Sequence, residues 1–187
     1  MKLDRFPRRT LRGDRKIYRI HQTDRSPWWF SADGSGRFNP VGTGRGACYL
    51  AERPLGSWVE VFRKTMLLPE AEVRNRSLMS VQLGRDVRLA DLTSRRALSF
   101  GVTVSLGADQ DYERSQAFAV YAVEEGFGGV RYLVRHDPAQ KLFGIALFGG
   151  AVADESDAWP SGDEEPLSLE LVSEAHRRFG SRVLPTP

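Results

Sequence analysis

An α+β domain with a mixed, mostly antiparallel sheet is the fold class predicted for this chain, and three observations predict it. Apolar runs of strand length outnumber helical stretches, and their order is not the regular strand–helix alternation of a parallel sheet. The third is composition: 187 residues with 41% hydrophobic and 27% charged side chains suit one globular domain able to bury its own core.

Lys16 to His21 alternates Ile and Tyr with polar residues, the two-residue period of a half-buried strand. A turn-rich loop follows from Gln22 to Ala47, carrying Asp33-Gly34-Ser35-Gly36, Asn39-Pro40 and Gly42-Thr43-Gly44-Arg45-Gly46. Loops this long in small domains commonly serve binding. Ala47 to Ala51 reads as a buried strand. Pro54 then suits the first position of a helix, where its missing N–H costs nothing. That helix is expected to reach Lys64, with Leu55, Trp58, Val59 and Phe62 forming one apolar stripe at i, i+3, i+4 and i+7. Leu78 to Leu83 and Val87 to Leu92 read as strands, and Tyr112 to Glu125 as a helix stopped by Gly126. Val130 to Val134 and Leu142 to Phe148 form two further strands around the polar stretch Arg135 to Lys141. After Gly150 the segments Ala153 to Asp157 and Ser161 to Glu165 are acidic and turn-rich, which marks a surface connector. The second half of Leu167 to Phe179 suits a terminal helix, followed by a Pro-containing end. The expected organisation is a basic N-terminal segment over 1–14, a ligand-binding domain over 15–150, and an acidic connector with a docked helix over 151–187.

No run of about 20 apolar residues exists to cross a bilayer. The start, MKLDRFPRRTLRGDRK, lacks the apolar segment of a secretory signal. The single cysteine, Cys48, cannot form an internal disulfide and reads as a buried thiol, so a cytoplasmic location is expected. The net charge is +3 and the pI about 9.2. The basic residues lack aromatic interleaving or a recognition-helix pattern, so they read as a solvated face and not as a nucleic-acid surface. His21, His136 and His176 have no metal-ligand spacing, and no metal is expected.

Arg19 ends a strand just before the long loop, where its planar fork could grip a pyrophosphate or form a surface salt bridge. Arg37 follows Gly36 in the loop: glycine admits backbone N–H groups close to an anion and arginine supplies charge, although neither common phosphate-loop pattern is present. Glu60 points roughly 140° from Leu55 on the predicted helix, off the apolar stripe and in line with Gly56. Gly56 would leave a gap in which the carboxylate meets a substrate hydroxyl; the other reading of Glu60 is a solubilising surface charge. Tyr49 could stack on a flat ligand or pack in the core. His21, two residues from Arg19, could line the same site or serve a structural role.

In this order Tyr18-Arg19, Gly36-Arg37-Phe38-Asn39, Cys48 to Ala51 and Trp58-Val59-Glu60 resemble the RES-domain family. Asp91-Leu92, Ser115-Gln116-Ala117, Gly129 to Tyr132 and Phe143 to Phe148 extend the resemblance over about residues 15 to 150. It implies a fold similar to the mono-ADP-ribosyltransferases, with a split sheet clamping NAD as substrate in a crevice. It further implies a toxin of a toxin–antitoxin pair that consumes NAD by hydrolysis or phosphorolysis and is blocked by a helix-turn-helix antitoxin of the Xre type. Carried onto this chain, Arg19 and Arg37 hold the phosphates, Tyr49 packs on nicotinamide or its ribose, and Glu60 accepts a ribose hydroxyl. Gly36, Asn39, His21 and Arg135 complete the binding set.

One position departs from the family pattern. The family serine is expected at Val134, in the stretch Gly129 to Arg135, and valine cannot hydrogen-bond. Arg135, His136 or Ser115 would have to supply the polar contact. An ADP-ribosyltransferase acting on a protein, nucleic acid or metabolite, and an impaired NAD-binding regulator, are the alternative functions. The acceptor, a homo-oligomer and the role of the acidic segment stay open at this level.

Overall fold

The computed structural model describes residues 5–62, 65–103, 106, 111–150 and 159–185. The expected helix end at Lys64, the acidic stretch Ala153 to Asp157, the first four residues and the last two lie outside them.

The strands are β1 (Arg8–Leu11), β2 (Ile17–Gln22), β3 (Arg45–Ala51), β4 (Leu67–Pro69), β5 (Arg76–Val81), β6 (Val87–Asp91), β7 (Gly129–Leu133), β8 (Phe143–Gly150), β9 (Asp163–Pro166) and β10 (Arg182–Leu184). The helices are α1 (Pro54–Phe62), α2 (Glu70–Arg74), α3 (Glu113–Glu124) and α4 (Leu169–Phe179), with a 3-10 turn at Arg95–Phe100. Among the described residues an eight-stranded sheet runs β1-β6-β7-β8-β3-β2-β5-β9, and β10 and β4 form a separate parallel pair. Within the large sheet only β6 and β7 run parallel. This is a mixed α+β domain with a mostly antiparallel sheet flanked by helices.

The sheet is zipped unevenly. β3 and β8 are in register over seven residue pairs, from Arg45↔Gly150 to Ala51↔Gly144. β2 and β5 are paired over six, from Ile17↔Val81 to Gln22↔Arg76. Between β2 and β3, however, one ladder pair remains, Tyr18↔Ala51, so the two halves part as they run toward Gln22 and Arg45. This is the splay that the split-sheet expectation required.

Burial explains which runs became central strands. Along β8, Ile145 and Leu147 pack in a cluster with Trp28, Phe30, Cys48 and Leu50. Ala146 and Phe148 face the opposite cluster with Phe38, Phe118 and Tyr132. A strand covered on both faces reads as a continuous apolar run, as here. α1 buries the predicted stripe Leu55, Trp58, Val59 and Phe62 against Ile20, Leu78 and, on α4, Leu171 and Ala175. α4 begins where the Ser168 hydroxyl accepts the Leu171 N–H and ends at Gly180, whose φ of +72° only glycine adopts without strain.

Three local readings are corrected. Gly56 is buried, and a Cβ there would stand 2.9 Å from Ala51 Cβ. The missing side chain therefore seats α1 against β3 and leaves no space for substrate. Arg8–Leu11, inside the stretch read as a basic segment, is edge strand β1 beside β6, and Phe6 is core. The connector is also partly built into the domain: Trp159 stacks on Trp28 at 5.2 Å, and β9 adds to the sheet edge beside β5.

Candidate functional site

The splay between β2 and β3 opens a cavity of about 410 Å³, within the range of small-molecule and cofactor sites. Arg19 and His21 from β2, Gly36 and Arg37 from the long loop, Tyr49 from β3, Glu60 from α1, and Arg135 after β7 all line it. Arg25, Arg76 and His136 line it too, against Asp33 and Glu60 as the acids, so the lining carries a positive excess suited to an anion. The expected set is thus brought together from five separate parts of the chain, with one exception.

The exception is Asn39. It is fully buried and is not part of the lining. Its Nδ2 donates to Ser31 Oγ at 3.0 Å, and its Oδ1 accepts from the Tyr49 hydroxyl at 3.0 Å. The binding role expected for Asn39 becomes a supporting one. The Tyr49 oxygen also accepts the Phe38 N–H at 2.8 Å. Burial raises the Tyr49 pKa, and the nearby Glu60 carboxylate adds to the shift, so the hydroxyl stays protonated and spent on its donor role to Asn39. What Tyr49 offers a ligand is its ring. Gly36 is glycine for the same reason: a Cβ would fall 2.3 Å from Asn39 Oδ1 and 2.5 Å from the Tyr49 hydroxyl.

Arg19 reaches across the splay. Its Nη1 donates to the Tyr49 carbonyl at 2.9 Å and lies 3.1 Å from Cys48 Sγ, while its buried Nε has no hydrogen-bond partner. Among the described residues no carboxylate forms an ion pair with it. A half-buried guanidinium whose described hydrogen bonds all leave from Nη1, to neutral partners, keeps donors for an anionic ligand. Cys48 is fully buried, and that burial raises its pKa although Arg19 opposes the shift, so it remains a thiol.

Arg37 is held by stacking on Tyr112, 4.7 Å from the ring centre. His21 is buried, with Nδ1 at 2.9 Å from the Gln22 carbonyl and 3.1 Å from that of Arg25. Since both neighbours accept, Nδ1 carries the proton. Nε2 lies 3.2 Å from a Glu164 carboxylate oxygen of β9 but makes no hydrogen bond.

Several supporting residues escaped the sequence reading. Gln116 on α3 donates to the Gly34 and Gly36 carbonyls at 2.7 and 3.0 Å, anchoring the loop in front of Tyr49. Ser57 donates to the Tyr18 carbonyl at 2.8 Å and fixes α1 to β2. Asp33 accepts from the Ser31 hydroxyl at 2.6 Å and the Ser35 N–H at 2.9 Å. Those serine contacts lower its pKa to about 2. Only the long loop's turn chemistry hinted at such a role. Val134 does line the cavity. Of the residues named to replace its missing hydroxyl, Arg135 and His136 also line it, whereas Ser115 is buried and bonded to the Tyr112 carbonyl.

The sequence model of the RES domain matches residues 16–170, more than four-fifths of the chain. The chain belongs to the RES-domain family. Among solved structures, this RES domain is similar to a chain in the crystal structure of the M. tuberculosis MbcT-MbcA toxin-antitoxin complex. The TM-score is 0.65 at 22% identity, over 88% of this chain and 90% of that one. At that identity the likeness establishes a shared fold. No curated protein matches significantly. No described helix of this RES domain is long and apolar enough to cross a membrane.

Proposed function

We propose that this RES-domain protein is an NAD-consuming enzyme that cleaves the bond between nicotinamide and ribose, by hydrolysis or phosphorolysis, and acts as the toxin of a toxin–antitoxin pair. One observation carries the reading: Arg19, Arg37, Tyr49 and Glu60, far apart in sequence, line one positively lined cavity where the sheet splays. Family membership supports NAD as the substrate, and the fold shared with a chain of a toxin–antitoxin complex supports an antitoxin as partner, for which we propose the helix-turn-helix type.

In this reading the arginines hold the pyrophosphate. Departure of neutral nicotinamide leaves positive charge on the ribose ring, and the Glu60 carboxylate, holding the adjacent hydroxyl, stabilises that charge as it develops. Tyr49 gives its ring face to nicotinamide or ribose. Water or phosphate then bonds to the ribose carbon that nicotinamide left. Val134 favours a second reading, in which the protein binds NAD without turning it over, because no hydroxyl stands at the position where the family carries one.

Purified protein incubated with NAD, with and without phosphate, is expected to release nicotinamide. Glu60→Gln should slow release by about 10²–10³-fold, the scale of one lost electrostatic stabiliser. Release equal in wild type and variant sinks the catalytic reading, and NAD binding without release selects the second one.

A further inference from the structure

Trp29 is 48% exposed, whereas its neighbours Trp28 and Phe30 are 4% and 1% exposed. Burial alternates residue by residue across this triplet. Trp28 and Phe30 stack at 6.3 Å with an interplanar angle of 9°, and both pack on Trp159. Trp28 Nε1 donates to the Pro160 carbonyl at 3.0 Å, and the next residue after Phe30, Ser31, is bridged to Ala47 of β3. The two flanking side chains therefore pin the backbone and turn the indole of Trp29 outward.

It turns toward the cavity. Trp29 lines it, and among the described residues it is the sole large exposed hydrophobic that does. The nearby polar lining is Arg25, Ser26 and Gln22, held by the His21 contacts to the Gln22 and Arg25 carbonyls. Glu60, Tyr49, Arg37 and Tyr112 line the same cavity, and Arg37 stacks on Tyr112. Gln22 lies three residues beyond Arg19 on β2, roughly 10 Å along the strand.

We propose that Trp29 is the stacking platform for the adenine of the substrate, a purine subsite of this cavity. The inference rests on the NAD reading of the cavity and deepens it. A flat indole, fixed by its neighbours and presented beside a cationic wall, suits a flat π-system tethered to phosphates. Base stacking on aromatic side chains tolerates any base, and nicotinamide mononucleotide lacks the AMP half of NAD that carries this base.

The experiment compares wild type, Trp29→Ala and Trp29→Phe with NAD and with nicotinamide mononucleotide, and measures AMP binding by calorimetry. Trp29→Ala is expected to lower the ratio of kcat/KM for NAD to that for the mononucleotide about tenfold, and to weaken AMP binding about tenfold. Trp29→Phe, which keeps a ring, should recover most of both. An unmoved ratio in an enzyme that does cleave NAD overturns the stacking role while leaving the NAD reading intact. If no nicotinamide is released at all, AMP binding decides: loss in Trp29→Ala with recovery in Trp29→Phe sustains the subsite, and unchanged or undetectable AMP binding removes it.

Discussion

The two seams of the sheet that meet at β3 hold very different arginines. On the zipped side, behind β8, Arg131 of β7 is 5% exposed and fully compensated. Its Nε donates to Glu52 at 2.5 Å, its Nη1 contacts Thr93 and lies 3.5 Å from Asp91, and its guanidinium covers the Phe143 ring at 3.8 Å. On the splayed side Arg19 has a carbonyl, a thiol and an orphaned Nε. A buried cation between two carboxylates is saturated and structural; one left with neutral partners at an open seam is available to a ligand. The difference in pairing, and not burial alone, distinguishes the side of β3 that opens onto the cavity.

Breaking the saturated side should produce the largest effect. Arg131→Met leaves the buried Asp91 and the half-buried Glu52 without a counter-charge and should cost about 3–5 kcal/mol of stability in denaturant unfolding, with little change in ADP-ribose affinity. Arg19→Ala should do the reverse, weakening ADP-ribose binding by about 1.5–3 kcal/mol in calorimetry for a smaller loss of stability. Equal unfolding losses in the two variants would erase the contrast. The smallest effect concerns the loop facing the splay. Asp33 has a folded pKa of about 2, below the ordinary 3.8 of an aspartate. Its serine contacts therefore stabilise the fold above about pH 4, and that contribution disappears as pH falls toward 2. The difference in melting temperature between wild type and Asp33→Asn should shrink across that interval; a difference constant with pH removes the role given to the charge.

Much of the fold was legible because periodicity reports burial. The alternation read at Lys16 to His21, the stripe on α1 and the apolar run of β8 each correspond to an observed element. β1 and β9 were not legible, since RRTL and DEEP are polar edge strands whose hydrogen bonds come from partners distant in sequence. Asn39 and Gly56 were misread for a related reason: their residue types fit ligand contact as well as they fit the close packing they serve. Trp29 carried no signal at all, as a third aromatic in the run Trp28-Trp29-Phe30 looks like core until its neighbours are seen to be buried without it.

The order of residues by itself determined the family, the fold class and the types of side chain that could line a cavity. Tertiary structure alone decided which arginine is free to use its charge, which glycine makes room for a neighbour, and that β2 parts from β3. Those outcomes depend on electrostatic pairing and steric contact between segments far apart in the chain, and local periodicity contains no record of such distances.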